Sequence, residues 1–238
     1  MIVDEPVLGA FLVSLCRATA LAATAPVIGD TGVPMRAKAM FVIVVGAAVA
    51  ANRAGVPIDH LPMLGAVELA VGIITGLTAR FIMSRVAVAG QLMGLSLGFG
   101  FASQYDVHAG ESAITVRMLA TTFASLAFLA AGGMEAIVRG VAAPAHVFDL
   151  ALLGPEMVRQ GTSAMSHGLA LAAPLVLAAL VANVGLAVMN RAAPAVNVFA
   201  ISLAVVLLAG GSVLLAGSGS MVAGIAGHAH EAVSVFVR

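Results

Sequence analysis

Five residues, Gly94 to Gly98 with the sequence GLSLG, match the G-x-S-x-G pattern of many serine hydrolases. In those enzymes the serine lies on a strained turn between a strand and a helix, and an acidic residue and a histidine activate it. Ser96 would be the nucleophile here, and its candidate partners are Asp106, Asp149, His108 and His167. Because no strand pattern precedes Gly94, an intramembrane serine hydrolase is kept only as a remote alternative.

Three ionisable residues, Arg17, Glu68 and Arg117, lie inside apolar stretches of the sequence. A charged side chain that faces lipid is costly, so such residues face protein or water and find a partner. We predict that Glu68 pairs with Arg17 or Arg117; the alternative is that each side chain reaches an interface or caps a helix. With a helix broken at Ser84 and Arg85, Arg17 and Glu68 would also suit a secondary transporter with a midplane site.

Other chemistry has little support in the sequence. There is no phosphate-binding G-x-x-x-x-G-K-[ST] motif and no H-E-x-x-H motif, and the single cysteine, Cys16, excludes an internal disulfide and a thiolate zinc site. His228, His230 and Glu231 lie close together, and we interpret them as a solvated tail, with a weak metal site as the alternative. Basic and acidic residues are equal in number, so the chain has no net positive charge that would attract nucleic acid. We predict no catalytic residue, no metal and no cofactor.

The composition indicates how these residues are positioned. The chain is 61% hydrophobic and only 9% charged, whereas about a quarter of the residues of a soluble domain are charged. We predict an all-α integral membrane bundle of helical hairpins, one domain over residues 1–238, with about six to seven hydrophobic helices. The apolar stretches lie at about 7–28, 39–51, 63–83, 86–103, 113–134, 168–190 and 196–227.

Some of these stretches are separated by clear turn residues and others are not. Turns are predicted at Asp30–Pro34, Gly55–Pro62 and Arg191–Pro194, and a polar excursion with a short amphipathic helix at about 135–167. Only Ser84 and Arg85 separate the third and fourth stretches, which indicates one long helix or two with a kink. The positive-inside rule places one group of basic residues on the cytoplasmic side: Arg36, Lys38, Arg80, Arg85, Arg139, Arg159 and Arg238.

Glycines recur every four residues in two of the apolar stretches. Gly90, Gly94 and Gly98 continue to Ala102, and Gly72 is followed by Gly76. Residues four apart share a helix face, and small residues on such a face let two membrane helices approach closely. We predict close helix packing there, although a chain with 26 glycines also produces such spacings by chance.

Four segments resemble the FliR/SctT family, the R-type subunits of the export gate in flagellar and virulence type III secretion. They are CRATALAATAPVIGDTGVPMRAK from Cys16, ELAVGIITG from Glu68, AGQLMGLSLGFGFASQYDVHAG from Ala89 and NRAAPAVNVFAI from Asn190. They occur in order along nearly the whole chain, and the form of the last segment favours the flagellar branch.

The resemblance implies a nonenzymatic subunit of a helical pore assembly in the bacterial inner membrane, within the flagellar basal body. One copy would join several P-type subunits, and Q-type subunits would pack outside them. An FlhB/SctU-type switch protein would wrap this assembly, and the basal-body ring and membrane lipid would surround it. Unfolded export substrates would pass through the pore. Hairpins in this family stand partly above the bilayer plane, which would suit the short second stretch.

The resemblance also assigns individual positions. Gly90, Gln91, Gly94, Gly98 and Gly100 match a glycine-rich helix end. The loop that follows, which the family is thought to place in the pore as a plug, would contain Phe101, Ser103, Gln104, Tyr105, Asp106, Val107 and His108. The remaining matched positions are Pro26, Gly29, Pro34, Asn190, Arg191, Pro194, Asn197 and Phe199. The chain departs from the family at Asp106-Val107, usually Asp-Pro, and at Ser202-Leu203-Ala204, usually Gly-x-Pro.

Overall fold

The computed structural model of the protein describes residues 5–51, 53–97, 115–143, 150–193 and 198–236. These residues form seven α-helices and one 3-10 turn, Ile58–His60, and no strand. The helices are α1 (Glu5–Thr24), α2 (Met35–Ala50), α3 (Leu61–Ser96), α4 (Thr115–Ala130), α5 (Gly133–Ala142), α6 (Leu150–Ala192) and α7 (Val198–Ser234). The predicted all-α class is confirmed.

Four helical segments are long and apolar enough to cross a membrane: Glu5–Thr24, Ile58–Ser96, Gly154–Ala192 and Ala204–Ser234. A fifth span is possible if α4 and α5, which are bent by 61° at Gly132, count as one. Gly132 has a φ of 83°, which glycine adopts without steric cost. The 16 residues of α2 are too few for a span.

Helix α3 contains the third apolar stretch and the fourth as far as Ser96. It continues through Ser84 and Arg85 without interruption for 36 residues, because a charged residue does not break a helix as proline does. The broken helix on which the transporter alternative depended is therefore absent at this point.

The predicted turns coincide with helix ends. Helix α1 ends at Thr24 and α2 begins directly after Pro34, which fixes the backbone for a helix start. Between them Val27 has a φ of 69°, and the Ile28 amide donates to the Pro26 carbonyl at 2.9 Å. A positive φ is strained for a β-branched residue, so this turn is held in shape by its surroundings.

The polar excursion predicted at 135–167 is only partly a separate segment. Its beginning is the short helix α5, as expected, but residues 150–167 are the first turns of α6, which has 43 residues. The Gly154-Pro155 pair does not break this helix. Pro155 is the sixth residue of this helix, so its missing amide removes only one backbone bond near the beginning of the helix.

The described chain forms two compact units. The first comprises Met1–Met83, Ala127–Thr162 and His228–Arg238, and Leu21, Phe128, Ile137 and Phe236 are among its buried side chains. The second comprises Ser84–Leu126 and Ser163–Gly227. Its core consists of Ala89, Met93, Leu97, Ala172, Leu175, Ala179, Leu186 and Val206. The single domain expected from the sequence stays a prediction.

Large apolar side chains remain exposed along α6. They extend from Val158 to Val188 and include Met165, Leu169, Leu177, Leu180, Val181 and Val184. At 1.5 Å per residue this exposed stripe is about 45 Å long, whereas the hydrocarbon core of a bilayer is about 30 Å thick.

Candidate functional site

The most polar buried feature of the first unit is an ion network of three residues from different elements. Glu68 on α3 forms ion pairs with Arg17 on α1 and with Arg53 in the connection between α2 and α3. The side chains of Arg17 and Glu68 are 0% and 1% exposed, and that of Arg53 is 22% exposed. One carboxylate therefore links α1, α3 and the intervening connection.

Arg17 also binds the end of a fourth element. Its guanidinium donates to the Gly140 carbonyl at 3.2 Å and to the Ala143 carbonyl, at the C-terminal end of α5. Carbonyl groups at a helix C-terminus carry partial negative charge, which favours a cation there. These carbonyls offset part of the excess positive charge of two guanidiniums around one carboxylate, so the network holds helices α1, α3 and α5 together.

Small residues let α1 and α3 come close enough to form this network. A Cβ atom added at Gly72 would lie 2.7 Å from the Ala20 Cβ and 3.0 Å from the Arg17 carbonyl oxygen. One added at Gly76 would clash with the Thr24 hydroxyl, and that hydroxyl donates across the interface to the Gly72 carbonyl at 3.5 Å. Glu68 lies one turn before Gly72 on the same face, so close packing and charge pairing occur side by side.

The connection after α2 brings Arg53 to Glu68. The Val56 amide donates to the Pro6 carbonyl at 2.9 Å, and Gly55 packs directly on Pro6. The connection is thereby held against the beginning of α1. Sequence reasoning missed Arg53; the available signal was that it is a cation in a turn only 15 positions before a buried carboxylate.

The structure thus brings together two of the three residues singled out as intramembrane charges. Arg17 and Glu68 pair with each other, whereas Arg117 on α4 is exposed in the isolated chain. Near the beginning of α4, its long side chain has access to solvent or to a partner. Arg117 therefore takes no part in the ion network of Glu68, and its exposed side chain faces away from the protein interior.

The second glycine ladder lies in the second unit. A Cβ atom added at Gly90 would be 2.9 Å from both the Ala120 Cβ and the Arg117 Cα, so α3 and α4 pack closely there. Gly94 is buried, and Gly98 and Gly100 lie outside the described residues. The side-chain oxygen of Gln91 is buried and accepts no hydrogen bond from the part of the chain that is described.

Ser96 has the geometry of an ordinary helical serine. It is the last residue of α3, and its hydroxyl donates to the Leu92 carbonyl at 2.8 Å. A nucleophile elbow needs a strand before the serine, and a helix precedes Ser96 instead.

We expect the Ser96→Ala variant to retain full function. The hydroxyl makes a local bond within α3, and such bonds contribute little to a helix, so stability should change by less than about 0.5 kcal/mol. Activity-based labelling with a serine-reactive probe, together with a complementation assay, checks this. Labelling that disappears in the variant, with loss of function, would establish the hydrolase.

The residues interpreted as a solvated tail belong to α7. Ala229 and Ala232 are fully buried, the His228 ring nitrogen Nδ1 lies 3.7 Å from the Glu231 carboxylate, and buried Gln160 donates to that carboxylate at 3.4 Å. The described residues up to 236 are therefore not a separate tail, because one side of this helix end packs into the first unit, but His230 is exposed as the solvated interpretation expects. No group of three metal-ligating side chains is found in the described ranges.

The remaining predicted site residues fall in three places. Pro26, Gly29 and Pro34 form the strained turn after α1, where the Asp30 carboxylate pairs with Arg80 at 2.9 Å. Asn190 and Arg191 are exposed at the end of α6. Phe199 lies in α7, and Pro194 and Asn197 lie outside the described residues. The predicted plug loop, Phe101, Ser103, Gln104, Tyr105, Asp106, Val107 and His108, also lies outside them.

From residue 8 to residue 232 the sequence matches the family described as bacterial export proteins, family 1. The chain belongs to this family. Its relatives include the protein named flagellar biosynthetic protein FliR of Escherichia coli (strain K12), which is 26% identical over 212 residues, 82% of this chain and 79% of the relative. The FliR proteins of Aquifex aeolicus (strain VF5) and Bacillus subtilis (strain 168) are 32% and 23% identical over 142 and 210 residues. These matches cover 57% and 82% of this chain, and 55% and 80% of the two relatives.

The resemblance to the FliR/SctT family, in its flagellar form, is confirmed by these matches. The family match extends over both compact units and over all seven helices. The chain is thus a membrane protein of a bacterial export family, with several helices of membrane-spanning length. The buried ion network lies within the matched range, in the segment that contributes α1 to α3.

Proposed function

We propose that the chain is the R-type subunit of the flagellar protein export gate and contributes to the channel through which unfolded polypeptides cross the inner membrane. The observation that carries the proposal is the match to the export family over residues 8–232, with flagellar relatives. P-type and Q-type subunits and the FlhB/SctU-type switch protein would complete the gate, and the basal body would surround it. The chain itself would act without catalysis.

Several structural features support this proposal. Large apolar side chains are exposed on α2, α4, α6 and α7, as expected of a subunit that is covered by other subunits as well as by lipid. The stripe on α6 is longer than the bilayer core is thick, so lipid alone does not cover it at the average helix tilt of about 20°.

The ion network would give the subunit a rigid part beside a moving one. A gate needs a segment that changes conformation and a scaffold that does not. Glu68 joins α1, α3 and the connection at Arg53 through buried pairs, which suits a scaffold. The loop from Phe101 to His108, directly after α3, would be the moving plug.

Deleting Phe101 to His108 should leave a gate that leaks ions at rest, because the segment proposed to close the pore is removed. The measurement is membrane conductance, or uptake of a small ion, in cells that express the P-type and Q-type subunits with the deletion variant. As a matched control, a glycine–serine segment of equal length replaces the same residues and tests whether the native side chains are needed.

Copurification separates two kinds of failure. If the wild-type chain does not copurify with P-type and Q-type subunits, the gate-subunit assignment is wrong. If the complex forms with the deletion variant and the closed-state leak is unchanged, the assignment stands and the plug role is wrong.

A further inference from the structure

The face of α2 that points away from α1 carries a cation followed by an apolar stripe. Arg36, Met40, Ile43 and Ala47 are spaced four, three and four residues apart, so they share one face of the helix. Arg36 and Ala47 are exposed, and Met40 and Ile43 are 67% and 57% exposed. The opposite face is buried against α1, where Gly46 lies close to Leu15.

The length of this stripe matches one leaflet of a bilayer. From Arg36 to Ala47 the helix rises about 16 Å, and half of the hydrocarbon core is about 15 Å. Side chains of a helix lean towards its N-terminus, so the Arg36 guanidinium extends beyond the apolar end of the stripe. The face therefore has the length of a single lipid, with a cation at one end. The exposed stripe on α6 differs in this respect, because it is too long for one leaflet.

The charge at this end of α2 is positive and uncompensated within the described chain. Lys38 follows Arg36 by two residues, so it lies on the other, half-buried side of the same first turn. Its long stem can carry the ammonium group round to the end of the helix where Arg36 lies. The first turn contains no acidic residue, and the nearby Asp30 is already paired with Arg80. No ion pair of Arg36 or Lys38 is found among the described residues. A cation at the end of an apolar leaflet-length face, with a second cation on the same helical turn, is complementary to an anionic phospholipid.

We propose that α2 binds an anionic phospholipid, with its phosphate at Arg36, its acyl chains along Met40, Ile43 and Ala47, and the Lys38 ammonium group reaching the phosphate from the other side of the first turn. The site is independent of the proposed export function, since it needs only the chain and a bilayer. It would fix the depth of α2, a helix too short to anchor itself by crossing the membrane.

The test measures lipid retention by the full-length chain purified in detergent, by native mass spectrometry, with phosphatidylglycerol and phosphatidylcholine as the two probes. We expect preferential retention of phosphatidylglycerol. Each Lys or Arg near an anionic lipid contributes about fivefold in affinity, so the Arg36→Gln, Lys38→Gln double variant should lose about 25-fold. The charge-preserving Arg36→Lys, Lys38→Arg variant should retain binding.

The matched control is Arg139→Gln, which removes an exposed arginine that is paired with Glu135 at 2.6 Å. Retention by this control should equal that of the wild type, and the melting temperatures of all variants show that they are folded. Equal retention of the two lipids, or no loss in the double glutamine variant, overturns the proposal. So does photo-crosslinking from position 43, in native membranes, to a protein subunit and not to lipid.

Discussion

Replacing Glu68 with glutamine should destabilise the protein by about 3–5 kcal/mol and abolish its function. The substitution preserves the shape of the side chain but removes the only carboxylate of the described ion network, and it leaves the fully buried Arg17 beside Arg53 without a counter-charge. Removing one partner of a buried ion pair typically costs this much, because the other charge stays buried. Thermal unfolding in detergent measures the stability, and swimming in soft agar measures function in a strain that lacks its own family member.

The matched control is Glu135→Gln. Glu135 also pairs with an arginine, Arg139, at 2.6 Å, but both side chains are more than 60% exposed. An exposed helical pair of this spacing contributes only about 0.3–0.5 kcal/mol, so this variant should behave as the wild type. If both glutamine variants have the same stability, the buried network does not stabilise the fold.

Replacing Gly72 with alanine should destabilise the packing of α1 on α3 by about 1–3 kcal/mol. The new methyl group would meet the Ala20 Cβ at 2.7 Å and the Arg17 carbonyl oxygen at 3.0 Å. Neither atom belongs to a flexible side chain, so the helices must separate. Since Arg17 would move with α1, its ion pair with Glu68 would lengthen as well.

Gly185→Ala provides the comparison, because an added Cβ at Gly185 meets no atom within 4 Å. Alanine stabilises an open helical position by about 0.5–1 kcal/mol relative to glycine. The two substitutions should therefore change the free energy of unfolding in opposite directions. A double variant, Gly72→Ala with Glu68→Gln, should be less destabilised than the sum of the two. Strict additivity would show that packing and charge pairing are independent.

The sequence predicted the contents of the ion network better than its geometry. The cost of charge in lipid was enough to select Arg17 and Glu68, and the glycine spacing at Gly72 and Gly76 was enough to predict a closely packed face. The choice between Arg17 and Arg117 as the partner stayed open, since it depends on which helix packs beside α3. That choice depends on tertiary packing, which the residue spacing within one segment does not determine.

Arg53 and the C-terminal residues also depend on tertiary contacts that the sequence does not indicate. Arg53 reaches Glu68 because the Val56 amide binds the Pro6 carbonyl and holds the connection on α1, a contact with no sequence signature. The residues around His228 and Glu231 appeared solvated because polar side chains are frequent there, yet alanines at 229 and 232 bury that part of α7. Local composition predicted the exposure of His230 correctly but not the packing of the neighbouring alanines.

The 45 Å apolar stripe on α6 also concerns how a cell makes this protein. In the proposed gate, other subunits would cover this surface, so a newly inserted copy would stay incomplete until they arrive. The amount of mature protein would then depend on the supply of those subunits. A copy that stayed uncovered would be recognised as an orphan and degraded.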